Sequence, residues 1–304
     1  MTENTHHIYK SISELHSSLN LPKPTNPLVS VIKLDNLDTE KGGVVHSITY
    51  NFYSVFLKKN FEGKLKYGHQ YYDFDEGTMT FYAPKQKVII EEYTLTKLEG
   101  WMLVFHPDFL HNYILSKKVK DYGFFLYATN EALHLSESEE LVISDVFQNL
   151  QNEIKTSIDN FTQDVVVSHI DLLLTYCNRF YSRQFITRKK PSNDLLINFE
   201  EILKAYFSNE QPTNVGLPSV QYFSEKLFIS AHYLNDMLKS LTGQTTQQHI
   251  QNQLIEKAKE LLSTTSLSVS EIAYSLGFEY SQSFSKLFKK KTDYTPIEYR
   301  KIMN

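Results

Sequence analysis

Within residues 281–290, the stretch SQSFSKLFKK sets Ser281, Gln282, Ser285, Lys286, Lys289 and Lys290 apart from an apolar stripe of Phe284, Leu287 and Phe288. At helical periodicity the apolar residues face inward and the polar ones face outward. Gln can bond an adenine edge in bidentate fashion, Ser either base type, and Lys a guanine or a phosphate, so the set suits a DNA major groove. A lysine run at a helix end is by itself only a solvated face that favours the helix dipole. Inside a groove-reading helix, phosphate contact becomes the better reading.

The flanking residues say how such a helix would be held. Ser268 and Glu271 form a capping box for a preceding short helix, and Gly277 supplies the positive φ of a sharp helix exit. Thr295, Pro296 and Glu298 start another helix with an N-cap, an N1 proline and an N3 carboxylate. The arrangement is helix, short turn, helix, and it occurs twice. The segment from Ser219 aligns with the segment from Ser268: Val220 with Val269, Phe223 with Ile272, and Leu227 with Leu276. After a turn one residue longer in the second copy, Leu234 aligns with Phe284, Met237 with Leu287, Leu238 with Phe288 and Thr242 with Thr292. The apolar positions recur while the exposed ones differ, as expected of one scaffold with two different reading surfaces.

The motifs Ile272-Ala273, Gly277-Phe278, Phe284-Ser285-Lys286, Phe288-Lys289, Thr295-Pro296 and Tyr299-Arg300, with AKELL at 258–262, resemble those of the AraC/XylS family of bacterial transcription regulators. The resemblance covers about a third of the chain. It implies two recognition helices entering successive major grooves about one turn (~34 Å) apart. Carried over by position, the base-reading candidates are His232, Asn235 and Asp236 in the first helix, and Ser281, Gln282, Ser285 and Lys286 in the second. Three residues depart from the family pattern. Asp236 replaces an Arg or other polar reader, Leu254 an Arg of the connecting helix, and Asp293 a Gly. The first motif is therefore expected to be the weaker reader.

Residues 28–128 read as short strands rich in Val, Ile, Tyr and Phe, separated by turn signals, which points to a sandwich or barrel. YDFDEGTMTFYAPKQ and GWMLVFHPDFL resemble the cupin-like sensing barrel that many members carry, so a small-molecule effector is implied. Tyr50, Phe52, Tyr71, Phe74, Phe81 and Trp101 are candidates for lining its pocket, and barrel core is the plainer reading of each. His46, His69, His106 and His111 are isolated, with no His-x-His, and His6-His7 reads as a mobile terminus; no metal site is expected. From Ser136, with a capping box to Glu139, two helices follow. The second, FTQDVVVSHIDLLLTYCNRFYSRQF, is apolar enough to need covering, either by its own domain or by a second copy. Residues 187–193, basic and carrying Pro191, read as a linker.

Net charge is −4 and Cys177 is the sole cysteine, which excludes a polycation, intramolecular disulfides and cysteine-based metal clusters. There is no signal-like or spanning apolar run, no nucleophile elbow, no Walker loop and no GxGxxG. The expected fold is α+β multidomain. Residues 1–135 form a cupin-like regulatory domain, 136–193 a helical dimerisation segment and linker, and 194–304 an all-α double helix-turn-helix domain. The expected protein is a cytoplasmic, non-enzymatic regulator without cofactor or catalytic residues. Its partners would be promoter DNA, an effector, RNA polymerase if it activates, and a second copy, with no membrane. The alternatives are a helical domain that mainly binds protein, or a cupin enzyme with an appended DNA-binding domain.

Overall fold

The computed structural model describes residues 6–37, 47–59, 65–67, 70–72, 77–89, 99–156, 159–187, 189–208 and 211–303. The chain divides into two compact units, 1–184 and 185–304.

In the first unit the elements are β1 (His6–Tyr9), α1 (Ile12–Ser18), β2 (Val29–Lys33), β3 (Ser47–Tyr50), β4 (Tyr53–Lys59), β5 (Leu65–Tyr67), β6 (Gln70–Tyr72), β7 (Thr78–Tyr82), β8 (Lys87–Ile89), β9 (Glu99–Phe105), α2 (Leu115–Lys118), β10 (Leu133–His134), α3 (Glu137–Lys155) and α4 (Thr162–Thr187). A five-stranded antiparallel sheet runs β10-β7-β4-β9-β2, beside a three-stranded sheet β1-β3-β8 and the pair β5-β6. The expected barrel is represented, among the described residues, by separate sheets and not by one closed ring. The run SITYNFYSVFLKK, which reads as one strand, is broken at Asn51-Phe52. There the Asn51 N–H donates to Tyr9 O at 3.0 Å, and the chain passes from the small sheet to the large one. His6 and His7 are not a mobile end: β1 pairs in parallel with β3, and the His6 ring lies 2.8 Å from the Ser47 hydroxyl.

Strand alternation gives the large sheet two buried faces. Ile32, Tyr82, Met102 and Val104 join Tyr50, Val88, Ile12 and Leu15 in one core between the sheets and α1. The opposite face meets the helices. Trp101 stacks on Phe147 of α3 at 6.0 Å, Phe81 meets Phe124, Phe125 and Tyr181, and the Cys177 thiol of α4 lies 3.8 Å from the Met79 sulfur. Val166, Ile170, Leu173, Leu174, Cys177 and Tyr181 are thereby buried within their own unit. The apolarity of α4 is thus accounted for without a second copy. Burial pushes the Cys177 thiol pKa far up, so it is packing and not a nucleophile.

The second unit is helical: α5 (Lys189–Ser208), α6 (Gln211–Val215), α7 (Val220–Leu227), α8 (Ala231–Thr242), α9 (Thr246–Thr264), α10 (Val269–Ser275), α11 (Ser281–Thr292) and α12 (Pro296–Met303). The stretch 187–193, read from sequence as a linker, is helical from Lys189. Pro191 falls in the first turn of α5, where the N–H it lacks would have no intrahelical acceptor, so it does not stop the helix. The short α6 gave no periodic signal.

Candidate nucleic-acid interface

The second helix-turn-helix is α10, the turn 276–280, and α11. Ser268 Oγ accepts from the Glu271 N–H at 3.2 Å, and the Glu271 carboxylate accepts from the Ser268 N–H at 2.7 Å. These bonds hold the Glu271 carboxyl below its ordinary pKa and start α10 where the sequence places it. Phe284 and Phe288 are fully buried against Phe278 and Tyr299, which fixes the rotation of α11 about its axis. With that face locked inward, Gln282, Ser283, Lys286, Lys289 and Lys290 are exposed. Ser281 and Ser285 are half-buried, and the Ser285 hydroxyl donates to Ser281 O at 3.0 Å. Among the described residues Lys286, Lys289 and Lys290 make no ion pair, whereas the Lys291 ammonium donates to Asn252 Oδ1 at 3.2 Å. Ser283 escaped the sequence reading although it neighbours Gln282 in the first turn of α11.

The first copy, α7 and α8, uses the same frame with a different surface. His232 is exposed, but Asn235 and Asp236 are half-buried. Asn235 Nδ2 donates to Asp236 Oδ1 and Asn235 Oδ1 accepts from the Thr246 N–H, each at 3.4 Å. Two of the carried-over readers are therefore engaged within the domain. Lys239 is exposed on α8, seven residues after His232 and so on its face, a cation that periodicity could have found.

The repeat extends into the exits of both helices. Thr242 Oγ1 donates to Leu238 O at 2.8 Å and accepts from the Gln244 N–H at 3.2 Å; Thr292 Oγ1 donates to Phe288 O at 2.8 Å and accepts from the Tyr294 N–H at 3.3 Å. Gly243 (φ +73°) and Asp293 (φ +66°) follow in the left-handed region. Thr245 with Gln248, and Thr295 with Glu298, then cap the next helices. The left-handed φ explains why a Gly belongs where Asp293 stands. Leu254 is buried in the α9 core, so the missing Arg is replaced by packing. Arg300 ties the domain together, its guanidinium donating to Leu262 O at 3.1 Å and Leu267 O at 2.6 Å and so closing the C-terminus of α9.

In the first turn, Phe228 occupies the position of Gly277 at φ +56° and is 84% exposed. A bulky residue there pays strain of ~1–2 kcal/mol without compensating burial. Phe228→Gly is expected to raise stability by about 0.5–1 kcal/mol after the entropy cost of glycine, while Asp293→Gly changes little because Asp tolerates this region. Chemical denaturation of the paired variants checks the difference.

His249 lies between α5, α8 and α9, its Nε2 2.8 Å from the Thr242 hydroxyl and its ring edge-on to Phe199. Burial lowers its pKa, partly opposed by the Glu200 charge. The unfolded chain therefore takes up this proton more readily than the folded one. Stability is complete above the unfolded pKa of ~6.5 and is lost as pH falls from there toward the folded value. Thermal melts between pH 7 and pH 5 should show that loss, and His249→Gln should remove it; equal slopes in the two proteins would refute the assignment.

Residues 223–302 match the family described as a helix-turn-helix domain. A transcriptional activator, RhaS of Citrobacter koseri, is 36% identical over 25% of this chain and 28% of its own. The xylose operon regulatory protein of Escherichia coli K12 is 39% identical over 24% and 19%. Residues 223–302 form an AraC-type helix-turn-helix domain. A histidine kinase of Formosa agariphila, P4, is 32% identical over 38% of this chain and 8% of its own. The chain spans less than two thirds of the length of these relatives.

The four pocket candidates of the N-terminal unit whose side chains are described do not converge. Tyr50 and Phe52 are buried between the sheets. Phe81 and Trp101 are buried on the helix-facing side. Tyr71 lies in β6, and Phe74 falls outside the described residues. Phe81 and Trp101 thus share no pocket with Tyr50 and Phe52. Among the described residues no three His, Cys, Asp or Glu side chains group as a metal site, and no helix is long and apolar enough to cross a membrane.

Proposed function

We propose that the chain is a sequence-specific, duplex-DNA-binding transcription regulator in which α11 is the principal reader and α8 the weaker one. The observation that carries this is the exposed side of α11. Gln282 at its N-terminal end can read a base edge, and Lys286, Lys289 and Lys290 can meet phosphates, on a helix whose rotation is fixed by Phe284 and Phe288. The transcriptional activator named among the relatives supports the regulatory role. The same reading makes the N-terminal unit the receiver of a small-molecule effector, without catalysis, in a cytoplasmic protein. It also includes RNA polymerase contact if the protein activates. A homodimer belongs to it as well, and the outer side of α3, where Leu141 and Val142 are exposed, supplies an apolar surface for one.

The test is selection of duplexes from a random pool by the full chain, followed by sequencing. Enrichment of one strong block, with a weaker block centred about 10 base pairs away, is expected. Retention that ignores sequence, or affinity that does not fall with salt, would sink the reading.

A further inference from the structure

We infer that Tyr280, which no sequence motif singled out, is a specificity-determining residue of the α11 reader, and that its ring packs on the C5-methyl group of a thymine beside the base that Gln282 reads. The inference rests on the reading of α11 as a duplex reader and names part of what it reads.

Tyr280 stands where a capping residue belongs. α7, α8, α9, α10 and α12 begin on Ser219, Ser230, Thr245, Ser268 and Thr295, and each side-chain oxygen accepts from the N–H three residues on. In the repeat, Ser230 is the residue just before α8 and Tyr280 the residue just before α11. The Tyr280 side chain makes no capping bond. A phenol cannot fold back onto its own helix start as a hydroxymethyl group can, so α11 gives up a stabilising interaction that its twin keeps.

Nothing inside the domain offsets that loss. The Tyr280 side chain is 68% exposed, and neither its ring nor its hydroxyl has a partner among the described residues. The apolar residue that the turn needs is already present, because Phe278 is buried with its ring centre 5.5 Å from that of Phe284. A local rule broken with no internal gain marks a functional position, and this one lies at the end of the recognition helix that meets base edges.

The chemistry of the position selects its contact. Gln282 and Ser283 follow in the first turn of α11 and are exposed, which sets Tyr280 at the base step adjoining theirs. A backbone phosphate is the poorer partner. A serine here would donate to a phosphate and cap the helix as well, and the exposed Glu279 next to it repels phosphate. What serine cannot present is an apolar plane. In the major groove, the apolar group that base sequence sets is the thymine methyl.

The test uses the full chain and the duplex enriched from the random pool, with each thymine replaced in turn by deoxyuridine, which deletes the methyl group alone. At one position, adjoining the base whose preference Gln282→Ala relaxes, binding by the unsubstituted protein should fall about fourfold, the worth of one methyl group removed from water. Tyr280→Ser should bind the thymine duplex severalfold more weakly and no longer distinguish the two duplexes. It should also unfold at a higher denaturant concentration, because the cap is restored. Tyr280→Phe should keep the discrimination, and the deoxyuridine series on the unsubstituted protein needs no variant at all. If Tyr280 were merely structural, Tyr280→Ser would lose affinity for both duplexes and keep their ratio, and that result overturns the proposal. So does a parent protein indifferent to every deoxyuridine, or a Tyr280→Phe variant without discrimination, which would place the contact on the hydroxyl. Sequence-specific binding that persists through any of these leaves the regulator reading standing, whereas a full chain that selects no duplex sinks both.

Discussion

Gly277→Ala is expected to cost the C-terminal unit about 3–5 kcal/mol, and Gly243→Ala only about 1. Both glycines lie in the left-handed region, at φ +88° and +73°, so both substitutions carry the conformational strain. They differ in what the new methyl group meets. At Gly243 nothing lies within 4 Å of the added Cβ. At Gly277 the Cβ would stand 2.6 Å from the Gly216 carbonyl carbon and 2.9 Å from its oxygen, and backbone cannot move aside as a flexible side chain can. The Gly216 carbonyl is also held, accepting from the Tyr206 hydroxyl at 2.8 Å, so relief would disturb the link between α5 and the 216–217 turn. Because Gly277 sets where α11 leaves the turn, the variant should lose DNA affinity along with stability. Denaturant midpoints and duplex binding of the two variants measure this, and equal costs at the two glycines would contradict the close approach.

Replacing Lys286, Lys289 and Lys290 together with alanine is expected to weaken duplex binding about a hundredfold at 0.15 M salt, and to flatten the salt dependence by about 2.7 log units per decade. All three are exposed on α11, so the fold should survive. Gln282→Ala should behave differently, leaving the salt slope unchanged and relaxing the preference at one base by about 1–3 kcal/mol. A triple variant with the parent's slope would place the phosphate contacts elsewhere. Asn235 and Asp236, held by each other and by Thr246, should contribute less than either change.

The contrast between the halves of the chain shows what a sequence can disclose. In the C-terminal unit each helix is solvated on one side, so the apolar period is visible, and its ends are set by local bonds such as Ser268–Glu271 and Thr295–Glu298. Those features, together with the repeat, were enough to place α11 and most of its outward residues. In the large sheet both faces are covered. Every residue of Thr78–Tyr82 is buried, and the period-two pattern that would assign Phe81 and Tyr82 to different sides is erased. Aromatics could thus be gathered into one imagined pocket although the fold sends Tyr50 and Phe52 to one face and Phe81 and Trp101 to the other.

The sequence by itself determined the helices of the C-terminal unit, their caps and the exposed face of α11, because those depend on residues within a turn or two of each other. Only the tertiary structure decided that Gly277 must admit the Gly216 backbone, that Asn235 is occupied by Thr246, and that α4 is covered by its own sheet. Each of these depends on which distant segment arrives, and no local period records that.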